Sequence, residues 1–179
     1  MSTTSTTTGL AGTYVADPVH SSLSFSIPVQ GVSVFHGTLG DVEARLADGR
    51  LQGTAPVESI SITTPDAFRA HVLSTEFLDA EAHPTLKFVS SALVVDDGGH
   101  ARVTGSLTIK GITRPVEATG TWIPPEADAF GNTRANLTLE TVIDRRDFGM
   151  NWNAPLPSGG DALGNMVTLT VSLSLVAES

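Results

Sequence analysis

The sequence predicts an all-β fold: an antiparallel closed barrel of seven or eight strands, eight being the preferred count, with one short helical insertion. Three observations carry this. Apolar and polar residues alternate over several long stretches, turn residues punctuate those stretches, and no helical pattern is long enough to cover a sheet face. The alternating runs are nearly twice the usual ~5–6 residues of a strand. Eight strands enclose an interior just wide enough for one small ligand, which favours a barrel over a two-sheet sandwich.

Taken in order, Leu23, Phe25, Ile27 and Val29 alternate with Ser22, Ser24 and Ser26. This is a first strand, interrupted by Pro28 at an edge or bulge. Residues 32–46 read as further strand, followed by a tight turn at Asp48-Gly49. Residues 53–63 alternate more weakly, with Glu58, Ile60 and Ile62 against Val57, Ser59 and Ser61. They end at Thr64-Pro65-Asp66, which predicts a helix start: Thr64 as N-cap, Pro65 at the first helical position and Asp66 beside the positive end of the dipole. The helix is short, because Ser74 and Thr75 break the face shared by Phe68 and Val72. Residues 76–80 make another turn, and Pro84 ends the insertion. Residues 86–95 return to strand, with Asp96-Asp97-Gly98-Gly99 as the next turn.

Residues 103–123 form the most strongly patterned hairpin. Val103, Gly105, Leu107 and Ile109 face one way and Thr104, Ser106, Thr108 and Lys110 the other; after a turn at residues 111–115, Val116, Ala118, Gly120 and Trp122 alternate with Glu117, Thr119 and Thr121. Residues 124–132 read as a loop. Ala135, Leu137, Leu139, Thr141 and Ile143 then define one strand, and Val167, Leu169, Val171, Leu173 and Leu175 the last. Gly105, Ala118, Gly120 and Ala135 on the apolar faces either leave a cavity unfilled or relieve bends at barrel corners; pattern alone weighs the two about equally.

A chain of 179 residues without an evident linker is read as one domain, residues 13–179, preceded by a flexible tail over 1–12. The formal net charge is -9 and Lys and Arg number only ten, so nucleic acid is excluded as an electrostatic partner. There is no cysteine, which removes disulfides, thiolate metal sites and cysteine nucleophiles. The beginning of the chain lacks both a basic and an apolar leader region, and no apolar run approaches a membrane span, so a cytoplasmic location without an integral membrane segment is expected.

Candidate chemistry is sparse. His71, Asp79, Glu81 and His83 fit no metal-ligand spacing, so no metal and no cofactor are expected. Asp17 and His20-Ser21 resemble triad fragments without a nucleophile elbow and read as hydrogen bonding at a strand entry. Asp147-Phe148-Gly149 matches a kinase tripeptide in letters only. Asp144-Arg145-Arg146-Asp147 has two readings: a solvated ion-pair cluster, which is favoured modestly, or a charged rim that orients a ligand's polar head.

Several motifs, in order along the chain, carry a resemblance to the YceI-like family of lipid-binding proteins. They are Asp17-Pro18-Val19-His20-Ser21-Ser22 with Phe25; Arg69-Ala70-His71 with Ser74, Phe77 and Asp79; His83-Pro84-Thr85-Leu86-Lys87-Phe88-Val89-Ser90; residues 103–116; and Asp144-Arg145-Arg146-Asp147-Phe148-Gly149. The resemblance spans from about Tyr14 to the last strand. It implies a lipocalin-like eight-stranded antiparallel barrel whose apolar bore holds a polyisoprenoid or similar chain, without catalysis. The expected function is to sequester or carry a long-chain apolar lipid, a polyisoprenoid or isoprenoid quinone, with a homodimer left open. The expected ligand-binding residues are Phe25, Ile27, Gly105, Leu107, Ile109, Gly120, Trp122, Leu137, Leu139 and Leu169, with Phe68 and Phe77 as a lid. Two rivals stand beside this reading: a hydrolase or isomerase acting at the charged rim, and an interaction module whose barrel is filled by its own side chains.

Overall fold

The computed structural model describes residues 10–178. Its strands are β1 (Thr13–Ala16), β2 (Ser22–Val29), β3 (Ser33–Leu39), β4 (Glu43–Ala47), β5 (Arg50–Pro56), β6 (Thr85–Val95), β7 (His100–Ile109), β8 (Ile112–Ala127), β9 (Thr133–Asp144) and β10 (Met166–Ala177); helix α1 (Asp66–Leu73) lies between β5 and β6. All pairings are antiparallel. The ring runs β1-β4-β5-β6-β7-β8-β9-β10 and closes through β1 against β10. One edge of β10 pairs with β9; the other pairs with β1 at Leu175 to Ala177 and with β2 at Thr168 to Ser172. β1 and β2 therefore share one ring position, broken at residues 17–21, and β3 and β4 share the next, broken around Asp41, whose φ is +53°. The predicted eight-stranded antiparallel barrel with a helical insertion is the observed fold.

Each break has a local cause. At the first, Asp17 accepts the Val19 N–H (2.9 Å) and His20 Nδ1 lies 2.8 Å from its carboxylate, while Ser21 Oγ accepts the Ser174 N–H (3.0 Å). The expected hydrogen bonding at a strand entry is thus seen. Arg134 clamps the same corner, donating to Asp17 (2.9 Å) and Asp128 (2.7 Å). The bonds from His20 and then Arg134 hold the Asp17 carboxyl well below the usual carboxylate range, and Arg134 brings Asp128 down to about 2.

Several element boundaries differ from the sequence reading. The β7–β8 turn is only Lys110-Gly111, both at positive φ, with Ile109 opposite Ile112. Residues 112–115 therefore belong to β8 and not to the turn. Pro115 is tolerated because β9 joins β8 only from Thr119 onward, so its missing N–H faces an unpaired edge. β8 also continues to Ala127, with an irregularity between Ile123 and Glu126 where a loop was expected. The strand placed at 53–63 lies earlier, at Arg50–Pro56; Val57–Ser59 is a 3₁₀ turn, and the buried Val57, Ile60 and Ile62 are separate anchors. Helix α1 has Pro65 at its N-cap with no side-chain capping bond, so Thr64 does not serve as the cap. Of the tail expected over 1–12, residues 1–9 lie outside the described residues. Leu10 packs into the core at 3% exposure, and Gly12 N–H donates to Asp48 (3.1 Å), so ordered chain precedes the expected boundary.

At the β1–β4 end large side chains close the bore. Tyr14 meets Trp122 edge to face, with centroids 6.2 Å apart, and Leu46, Leu137 and Leu175 are wholly buried around them. Burying each such leucine contributes roughly 1.5–3 kcal/mol. This end is a plug. The outward faces carry Thr168, Thr170, Ser172 and Ser174 on β10 and Asn136, Thr138 and Glu140 on β9, not the apolar band of a lipid-embedded barrel. Among the described residues no helix is long and apolar enough to cross a membrane.

Candidate functional site

Above the plug the side chains stop filling the bore. Ala44, Gly53, Ala55 and Ala118, on three different strands, face inward where larger residues would meet, and a chamber of about 130 Å³ remains among them. Leu107, Leu139 and Leu173 complete its apolar wall. Leu86, Ile109 and Leu169 also line a second chamber of about 400 Å³ toward the other end, so the two abut. The outer chamber exists because the β2–β3 hairpin leaves the ring: β3 makes only a single bridge, Leu39 to Ile60, toward the chain that follows β5. Helix α1 lies across the gap.

No residue of α1 is fully buried, so the helix is anchored from its ends and by Arg69. Arg69 donates to the carbonyls of Glu58 (2.7 Å), Ile60 (3.1 Å) and Ile62 (2.8 Å), tying the helix to the strap that precedes it. Beneath it the rings interlock. Phe68 sits edge to face on Phe35 (5.7 Å), Phe35 against Phe25 (6.1 Å), and His71 stacks edgewise on Phe77 (5.0 Å) and Trp152 (4.5 Å) while its Nε2 pairs with Glu76. Lys110, at the β7–β8 turn, donates to the Gly149 carbonyl (3.1 Å) and fixes the neighbouring loop. Apart from His71 and Arg145, every described residue lining the outer chamber is apolar.

The expected site residues divide by depth. Phe25, Ile27, Phe68 and Phe77 line the outer chamber, Leu107 and Leu139 the inner one, and Ile109 and Leu169 both. Trp122 and Leu137 do not reach either wall; they belong to the plug. Gly105 and Gly120 do not leave room for a ligand. A Cβ on Gly105 would lie 2.4 Å from the Val89 carbonyl oxygen, and one on Gly120 would lie 1.7 Å from that of Thr138. Both glycines permit close approach of neighbouring strands, the Gly105 contact lying beside the β6 irregularity between Ser90 and Ala92, so the cavity reading of these two is corrected to the bend reading.

The charged string at 144–147 also divides. Arg146 forms the expected surface pair, donating to Asp144 (2.6 and 3.0 Å), and this holds the Asp144 carboxyl near a pKa of about 2. Arg145 departs from that reading: it is 2% exposed and lines the outer chamber. Its Nε donates to the Gly164 carbonyl (2.9 Å) and its Nη1 to that of Met150 (2.7 Å), while Nη2 has no protein partner. Desolvation pushes the guanidinium below its ordinary pKa. Among the described residues no cluster of three or more His, Asp or Glu is arranged to hold a metal ion.

Comparison with known proteins agrees with this architecture. The YceI-like domain profile matches residues 14–175. A UPF0312 protein of Pseudomonas putida (strain W619) is 30% identical over 73% of this chain and 71% of its own length, and one of Pectobacterium atrosepticum is 31% identical over the same shares. Among solved structures, Burkholderia cenocepacia BcnA superposes with a TM-score of 0.69 at 23% identity, covering 91% of this chain and 99% of its own. A Saccharophagus degradans domain described as polyisoprenoid binding gives 0.65 at 13% identity, covering 92% and 98%. With the profile spanning the barrel from β1 into β10, and relatives aligned over most of its length, this chain belongs to the YceI-like family.

Proposed function

We propose that the protein sequesters or carries a long-chain apolar lipid, a polyisoprenoid or isoprenoid quinone, in the barrel interior, and that it does so without catalysis. The observation that carries this is the pair of abutting apolar chambers. The outer one, about 400 Å³, is within the usual ~300–1,000 Å³ of small-molecule sites, and the inner one extends it toward the plug. Binding is driven by desolvation: each buried CH₂ contributes about 0.8 kcal/mol, so a few isoprene units suffice for firm binding. The polyisoprenoid-binding description of a structural neighbour supports the same ligand class. A chamber wall whose polar side chains are one histidine and one arginine offers a head group a contact but no nucleophile with its base, which favours binding over hydrolysis.

The test is organic extraction and mass spectrometry of protein purified from cells that make isoprenoid quinones. Recovery of a long-chain lipid near stoichiometry is expected. Lipid-free protein that also fails to take up geranylgeraniol would remove the proposal.

A further inference from the structure

The guanidinium of Arg145 is a cation inside the barrel wall without a carboxylate against it. Two backbone carbonyls take Nε and Nη1, and Nη2 is left with nothing to donate to. Two carboxylates act on the guanidinium only from a distance: Asp144, which is committed to Arg146 on the surface, and Asp161. A buried charge without a carboxylate in contact is costly, and an unsatisfied donor adds to that cost. The rest of the outer chamber has no group that would supply a negative charge. The second buried orphan, Trp122 Nε1, sits in the plug and lines neither chamber.

Resting on the lipid-binding reading, we propose that Arg145 is the head-group contact: Nη2 donates to an anionic oxygen of a bound lipid, a carboxylate or a phosphate, whose tail runs past Ile109 and Leu169 into the inner chamber. The position of Arg145 sets this polarity. It stands at the end of β9, beside the outer chamber, while the inner chamber is wholly on the plug side of Leu86, Ile109 and Leu169. The apolar end of the ligand therefore goes in first. Nη2 is covered in this arrangement, so the head group reaches it through a local rearrangement of the chamber wall. A charge-assisted hydrogen bond formed there satisfies the donor and the charge together, whereas an alcohol does only the first.

Three probes with one tail separate the terms: farnesol, farnesoic acid and farnesyl monophosphate, titrated into lipid-free protein. The wild type is expected to bind at least one of the two anions about tenfold or more tightly than farnesol, and which anion wins distinguishes a carboxylate from a phosphate head. Arg145→Met is expected to abolish that preference, so that neither anion binds more tightly than farnesol does to the same variant, and Arg145→Lys to retain part of it. Equal binding of all three by the wild type, or a preference that survives in Arg145→Met, overturns the assignment of Arg145 and leaves the lipid-binding reading standing. Binding of none of them overturns both. The wild-type comparison decides the matter alone if Arg145→Met does not fold.

Discussion

Two substitutions on one face of β8, two residues apart, should have opposite effects. Ala118 lines the inner chamber, whereas a Cβ on Gly120 would lie 1.7 Å from the Thr138 carbonyl oxygen. An unfilled chamber of about 130 Å³, at about 24 cal/mol per Å³, costs on the order of 3 kcal/mol. Ala118→Leu places three more carbons in that space, so the lipid-free protein should be as stable as the wild type or slightly more so. The same carbons displace about three carbons of a lipid tail at about 0.8 kcal/mol each, which weakens binding by about 2.4 kcal/mol, or roughly 50-fold. Gly120→Ala adds one carbon but forces the β9 backbone to move, and overpacking of this kind costs roughly 1–3 kcal/mol of stability. Its effect on affinity in the folded fraction should be small. Urea melts of lipid-free protein beside geranylgeraniol titrations measure both quantities. The reasoning is refuted if Ala118→Leu loses as much stability as Gly120→Ala, or keeps its full lipid affinity.

Two further outcomes follow from the polar clamps. Asp17 and Asp128 have folded-state pKa values below the ordinary 3.8, so they contribute stability above that pH and lose it as the pH falls toward and below about 2. Urea midpoints should fall over that interval in the wild type and fall less steeply in Arg134→Met, which removes the largest cause of the Asp128 shift; parallel curves would mean that the clamp does not couple to folding. Arg69→Met removes the three carbonyl contacts that hold α1 over the outer chamber. Stopped-flow release of a bound polyprenol should quicken several-fold while the thermal midpoint moves little, and an unchanged release rate would show that α1 does not gate the chamber.

The strands most legible in the sequence were those whose alternation is long and uninterrupted, β7, β9 and β10. β1 was not, because four residues hold too few periods to register, and β5 was displaced because Val57, Ile60 and Ile62 are buried without being strand. The site was legible by face but not by depth. Leu137 and Leu139 are successive inward residues of β9, yet the first is in the plug and the second lines the inner chamber. Trp122 failed for the same reason: alternation says which way a side chain points, not how far along the bore it sits. Glycine has a related ambiguity, since the absence of a side chain describes both a vacancy and a close contact, and only the distance to Thr138 or Val89 tells them apart. Arg145 was hidden among three charged neighbours; its burial follows from the 3₁₀ turn Arg145–Phe148 at the end of β9, which points consecutive side chains to different sides.

The unequal filling of the bore divides labour along each long strand. In β9 and β10 the residues near Leu137 and Leu175 are locked by the plug, while those near Ile143 and Val167 border the outer chamber. A single strand should therefore show a gradient of amide hydrogen exchange, slowest at the plug and faster toward the mouth, where fewer apolar contacts oppose local opening. Lipid should flatten that gradient from the mouth inward. For a designer, the packed plug and the recognition surface are then separate targets on the same backbone: residues at the mouth are open to randomisation for new ligands, and the reserve of stability to support such changes resides around Trp122.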